Sequence, residues 1–217
     1  MPCRFHPLHF KGSNVFERYI KQGPSGLEWH DDELSHPSLS TYATEIQHIL
    51  GNNESYITEV NIAAEAWLNS IAENLAQGAI FICDYGYPKS DFYHPQRNEG
   101  TLMCYYQHQG HTNPLILTGL QDITAHVDFT LLAQTALDHE LAVAGFQSQA
   151  DFLLAGGITE LSQQDDQDSF SLLQQATEIK QLTLPSAMGE KFKVLTLTKD
   201  LEQLLPRCQL ADRRYAL

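Results

Sequence analysis

No G-x-G triplet occurs anywhere in the 217 residues, so the chain carries neither a dinucleotide fingerprint nor a phosphate loop. Runs of 18 apolar residues are absent too, and the opening Met1-Pro2-Cys3-Arg4-Phe5-His6 has no apolar stretch of signal-peptide length. The expectation is a soluble chain without targeting segment or membrane span. Cysteine is sparse: Cys3, Cys83, Cys104 and Cys208 stand apart with no C-x-x-C, which suits reduced thiols in a cytoplasmic protein and predicts no structural disulfide. Basic residues are outnumbered, 13 against 27 acidic ones, and none form a run set among aromatics. Such a surface repels phosphate backbones, which excludes nucleic acid as a partner and accommodates a basic protein segment more readily. G-x-S-x-G and H-E-x-x-H are missing, and the closest histidine pair, His108-x-x-His111, has only His94 nearby in a loop; no metal site is expected.

What is present is a globular composition, 42% apolar, enough for a core. Residues 2–29 are mixed and rich in turn signals around the short segment Val15-Phe16-Glu17-Arg18-Tyr19-Ile20 and predict a β-hairpin or meander. Residues 41–50 fit a short helix. A stronger helical period runs through Val60, Ala64, Trp67, Leu68, Ile71 and Leu75, with Thr58 as the expected N-cap, Glu59 in the first turn and Gly78 as the stop. The run Ala79-Ile80-Phe81-Ile82-Cys83 then reads as a strand buried on both faces of a parallel sheet, ending in the polar Asp84-Tyr85-Gly86-Tyr87-Pro88, where open α/β sheets gather their ligands. Residues 89–121 form a long insertion with a strand expected at 101–107. Beyond it a helix is expected from about Thr124, a strand at 141–146, a capping box at Ser148-Gln149-Ala150-Asp151, an acidic linker at 163–169, a helix at 172–182 and an alternating strand at 191–198.

The densest polar constellation is Gln121-Asp122-Ile123-Thr124-Ala125-His126-Val127-Asp128-Phe129. It could set Asp122, His126 and Asp128 in a cleft, with a carboxylate orienting an imidazole base. Asp122, Thr124 and Asp128 are equally good helix-capping or first-turn residues, and capping does not need the histidine. Tyr93, Tyr105 and Tyr106 could line a pocket or simply pack.

Six segments in order, Glu59-Val60-Asn61, Ile82-Cys83-Asp84-Tyr85-Gly86, Tyr93-His94-Pro95-Gln96-Arg97, Gly100-Thr101-Leu102-Met103-Cys104, residues 121–129 and Met188-Gly189-Glu190-Lys191-Phe192-Lys193-Val194-Leu195, together resemble the MidA-like family. Its members are class I S-adenosylmethionine-dependent methyltransferases, relatives of the mitochondrial enzyme that methylates an arginine of a respiratory complex I subunit. The resemblance implies an α/β fold, the later half of a Rossmann-like sheet with a long β-rich insertion, and the glycine-rich cofactor-binding half is expected upstream of Met1. It divides the chain into a β-rich segment at 1–58, a helix and sheet strand at 59–88, a substrate-side insertion at 89–121 and closing helices and strands at 122–217. Catalysis is then expected from Asp84, Tyr85, Asp122, His126 and Asp128, and substrate binding from Glu59, Gly86, Arg97, Thr101 and Thr124. The implied cofactor is S-adenosyl-L-methionine. The implied partner is a protein substrate, a complex I subunit or other basic segment, and a homodimer is compatible. The implied reaction is methylation of a side chain such as arginine, with this chain inactive alone and the edge beside residues 79–83 uncovered. The competing reading is a non-catalytic module that binds a protein through residues 89–121.

Overall fold

The computed structural model describes residues 5–51, 55–161, 169–201 and 211–217. Contacts group the chain into two units, residues 1–67 with 89–126, and residues 68–88 with 127–217.

In the first unit the turn signals fold residues 6–32 into the expected meander. Strands β1 (His6–Lys11), β2 (Asn14–Gly23) and β3 (Gly26–Asp32) pair antiparallel in succession. Lys11 lies opposite Asn14, so Gly12 and Ser13 make a two-residue turn, and Gly12 takes its positive φ of 58°, as tight hairpins require. Helix α1 (Ser38–Leu50) begins three residues before the expected start and buries Leu39, Ala43, Ile46 and Leu50 along one stripe. Its Gln47 amide donates to the Gly12 carbonyl at 3.1 Å.

Strand β4 (Ser55–Val60) joins β1 on its free side, giving the order β3-β2-β1-β4. This corrects the reading of Thr58 as a helix cap and of Glu59 as a first-turn acid. Tyr56, Thr58 and Val60 are buried at a spacing of two, the period of a strand, and helix α2 (Ile62–Asn74) starts only after Asn61. The Asn61 side-chain oxygen accepts from the Ala64 amide at 3.1 Å, so asparagine supplies the cap. Phe10 meets Tyr56 edge to face, with ring centroids 6.4 Å apart.

The first unit resumes with the short helix α3 (Lys89–Phe92), and a small sheet follows it. Strands β6 (Met103–Tyr106), β7 (Gln109–His111) and β8 (Asp122–Thr124) pair antiparallel in the order β7-β6-β8.

The second unit is built on β5 (Gly78–Tyr87), β9 (Val127–Asp128), β10 (Ala142–Ser148) and β11 (Phe192–Lys199), in the order β10-β11-β5-β9. Strand β11 runs antiparallel to both neighbours, and β9 runs parallel to β5 over Gly86 and Tyr87 alone. The strand expected at 79–83 is thus longer and mainly antiparallel, and it is not buried on both faces: Phe81 is 50% exposed and Cys83 is exposed. Among the described residues no strand pairs with the other edge of β5 over 78–85. The helix expected from Thr124 starts later. Thr124 pairs with Met103 in the small sheet, and α4 (Phe129–Asp138) begins after Asp128, whose carboxylate accepts from the Leu131 amide at 3.1 Å. Of the three residues able to cap, Asp128 directly precedes the stripe Phe129, Leu132, Ala133 and Ala136 that is buried.

Ser148 caps α5 (Gln149–Ala155) as the capping box predicts, accepting from the Asp151 amide at 3.1 Å. Helices α6 (Ile158–Leu161) and α7 (Ser169–Thr183) follow; nearly all of the expected linker at 163–169 lies outside the described residues. The C-terminal segment is tied in: Arg213 donates its amide to the Phe146 carbonyl at 2.7 Å, and its guanidinium reaches Asp151 at 2.8 Å and Glu190 at 2.9 and 3.0 Å. Cys83 and Cys104 are free thiols. No described helix is long and apolar enough to cross a membrane.

Candidate functional site

Side chains alternate between the two faces of a strand, so register decides which of them meet. In the first unit Pro7 lies opposite Glu59, His9 opposite both Ile57 and Phe16, and Arg18 opposite Asp31. One face of the sheet therefore carries Glu59, Ile57, Pro7, Arg18 and Trp29. These five, with Arg97, residues 99–103 and His126, line a cavity of about 250 Å³.

One wall is held by a buried hydrogen-bonded chain. The Glu59 carboxylate accepts from the Thr101 amide at 2.9 Å and from the Thr101 hydroxyl at 3.0 Å; that hydroxyl oxygen accepts from the His126 amide at 3.0 Å. Gly100 turns the chain onto the carboxylate with φ 77°, and a Cβ there would collide with Glu59. Burial pushes the Glu59 pKa above the ordinary range, against the hydrogen bonds from Thr101 and Leu102. Glu59 thus fastens residues 100–102 and orders the cavity wall.

The His126 imidazole is half-buried, and burial with the nearby Arg97 charge lowers its pKa to about 4. It is neutral at physiological pH. Burial pushes the Tyr56 hydroxyl up to about 12, and the group donates to the His94 carbonyl at 3.3 Å.

Arg18 lies with its guanidinium carbon 4.4 Å from the centre of the Trp29 ring. Arg18 and Trp29 are diagonal cross-strand neighbours, since Arg18 pairs with Asp31 and Ile20 with Trp29, which is where long and aromatic side chains can meet. Its side chain is 18% exposed, and its only ionic contact among the described residues is from Nε to Asp31 at 3.5 Å. Asp31 also receives His9 and Lys11, each at 2.8 Å.

The structure thus gathers Glu59, Arg97, Thr101 and His126 of the expected site residues around one cavity. Asp122 and Thr124 sit on β8, Asp122 exposed, and neither lines that cavity. In the second unit, burial raises the pKa of Asp84, whose carboxylate accepts from the Tyr85 amide at 2.8 Å. The Tyr85 ring stacks on Phe192 with centroids 3.9 Å apart. The backbone at Gly86 is in close contact with the Val127 carbonyl and the Phe129 ring, and Asp128 caps α4. Arg18 and Trp29 were not anticipated from the sequence.

Residues 4–147 match the profile of the family described as "Putative S-adenosyl-L-methionine-dependent methyltransferase". Two solved structures from Burkholderia thailandensis are similar to the chain at 31% identity and a TM-score of 0.90, each covering 98% of it. One is an uncharacterized protein, and the other, of the same superfamily, is bound to S-adenosyl-homocysteine. The chain spans 56% and 55% of their lengths. No curated protein matches it.

Among the described residues no glycine-rich turn forms a cradle for that cofactor. The sequence has no glycine-rich loop, and Gly86, the glycine at the end of β5, is closed off by Val127 and Phe129.

Proposed function

The chain belongs to this family of S-adenosyl-L-methionine-dependent methyltransferases, and from that premise we propose that it forms the acceptor-binding part of such an enzyme. S-adenosyl-L-methionine is the family's cofactor. In this reading β5, β11 and β10 are later strands of a Rossmann-like sheet, the cofactor is held by residues other than those described, and the chain alone transfers no methyl group.

The observation that carries the proposal is the cavity of the first unit, enclosed by Glu59, Thr101 and His126 and walled by Trp29 and Ile57. A methyl acceptor must be held in one orientation, away from water, and must lose a proton. The Glu59 and Thr101 bonds fix the wall, the apolar side chains exclude water, and the neutral His126 is the available proton acceptor. The arginine acceptor implied by the resemblance would need facing carboxylates. Here Glu59 is engaged by Thr101, which leaves the exposed Glu99 as the other carboxylate beside Arg18 and Arg97 on the cavity lining. That balance favours an acceptor that is neutral or anionic.

The test is His126→Ala in a polypeptide of the length of the solved relatives, followed by transfer of labelled methyl from S-adenosylmethionine. Loss of at least tenfold is expected; full transfer would remove His126. Micromolar binding of S-adenosylmethionine by residues 1–217 alone would overturn the division of labour.

A second reading is favoured by one observation. Tyr105, Ile116, Leu117, Leu120 and Ile123 are all exposed within residues 105–123, Leu120 at 66%, which is how a protein-contact surface reads. Retained partner binding together with a lack of any transfer in the longer polypeptide would favour it.

A further inference from the structure

The Arg18 guanidinium at the cavity wall shares its one ion-pair partner among the described residues with two other basic groups. Asp31 carries one negative charge and is approached by Lys11 at 2.8 Å, by His9 at 2.8 Å and by Arg18 only at 3.5 Å. The Asp31 contact is made by the Arg18 Nε; the two terminal nitrogens of the guanidinium make no hydrogen bond among the described residues. Arg18 nevertheless has a largely covered side chain, with its guanidinium carbon over the Trp29 ring. Burial lowers its pKa, with Asp31 opposing, so a guanidinium kept charged here gains from a further anion. Arg97 lines the same cavity.

The rest of the lining is mixed: the apolar Pro7, Trp29, Ile57, Leu102, Met103 and Pro114 stand beside Gly100, Thr101, Thr112, His126 and two carboxylates, of which Glu59 is engaged by Thr101 and Glu99 is exposed. A guanidinium presents a planar fork that matches a carboxylate, and stacking on an aromatic ring holds that fork in place. A cavity somewhat below the ~300–1,000 Å³ of drug-sized sites suits a small guest with an apolar body.

We infer that this cavity is a carboxylate-binding site, in which Arg18, oriented on Trp29, together with Arg97 receives the carboxylate of a guest whose apolar body lies against Ile57, Leu102 and Met103. The guest is a small organic acid or a carboxylate presented by a peptide. Its meaning as a feature of the methyl acceptor rests on the function proposed above; the binding site itself does not.

Calorimetric titration of the 217-residue chain with 3-phenylpropanoate is expected to show one-to-one binding that 3-phenylpropanamide lacks. Arg18→Gln is expected to weaken it at least tenfold with the circular dichroism spectrum unchanged; Arg97→Gln serves as the second variant if the first does not fold. A peptide ending in a free phenylalanine carboxylate, compared with its amidated form, separates the two sources, and tighter binding of either acid supports the site. Equal binding of acid and amide, unchanged affinity in both arginine variants, or inorganic phosphate binding as tightly as 3-phenylpropanoate would overturn it. The titration contains no cofactor, so the two readings fail separately. Arginine-dependent carboxylate binding without transfer in the longer polypeptide overturns the acceptor role alone.

Discussion

The carboxylate of Glu59 takes two hydrogen bonds from Thr101, one from the backbone at 2.9 Å and one from the hydroxyl at 3.0 Å. Both residues are about 5% exposed, so neither bond can be replaced by water. Glu59→Ala should leave the Thr101 amide buried and unpaired, at a cost of about 2–3 kcal/mol. Glu59→Gln keeps one oxygen for both donors and should cost less than about 1 kcal/mol. Urea unfolding of the two variants measures the difference, and equal losses would show that the bonds do not hold the wall.

Gly100→Ala should be about as damaging as Glu59→Ala. The φ of 77° disfavours any Cβ, and the added methyl meets the Glu59 carboxylate. A loss of roughly 1–3 kcal/mol is expected, read from the melting temperature, whereas alanine at Gly12, where the Cβ meets open space, should cost only the strain of its positive φ, about 1 kcal/mol.

His126 makes stability depend on pH with a definite sign. Its folded pKa of about 4 lies below the unfolded value of about 6.5, so between these limits the unfolded chain binds a proton that the folded chain refuses. Stability should therefore fall as pH drops from about 6.5 to about 4 and level off below that, by on the order of 2 kcal/mol for this group. His126→Gln should lack this component. Titration of the His126 ring protons by NMR gives the pKa directly, and a midpoint near 6.5 would contradict the burial.

Arg213 ties the C-terminal segment to Asp151 and Glu190. Its hydrogen bonds and charge hold the Glu190 carboxyl below the usual range, ahead of the opposing effect of burial. A depressed carboxylate stabilises the fold above its unfolded pKa and loses that contribution as pH falls through its folded pKa. Arg213→Ala should cost about 1 kcal/mol near neutrality, because the groups are part-exposed. The gap to the unaltered chain should close as pH falls below the ordinary glutamate range and through the lowered folded pKa of Glu190, as followed by denaturant unfolding.

Local signals in the sequence are readable where one residue type answers one backbone need. The turn at Gly12 and Ser13, the Ser148 cap and the alternating strand β11 all follow from such signals. Thr58 misleads because a threonine before an apolar stretch suits a helix cap and a buried strand equally; the competing asparagine at 61 sits only three positions on. Asp122, Thr124 and Asp128 pose the same choice, decided by which one directly precedes the buried stripe of α4. Of the candidate site, His126 is reached from the polar constellation at 121–129 as well as through family resemblance, and Glu59, Arg97 and Thr101 through the resemblance. Arg18 and Trp29 are not, because their contact depends on the pairing of Arg18 with Asp31 across a hairpin, and a sequence shows strands without their register. Glu59 is expected in the wrong surroundings for a related reason: its burial depends on Thr101, 42 residues away.

The one-sided pairing of β5 bears on how its backbone meets solvent. Over 78–85 it bonds to β11 along one edge, with no strand described on the other. In an antiparallel pair alternate residues turn their amides toward the partner. Deuterium uptake along this stretch should therefore be uneven, slow at amides facing β11 and fast at those between them. An added chain that occupied the second edge would slow the fast set without changing the slow one, so amide exchange could detect strand addition.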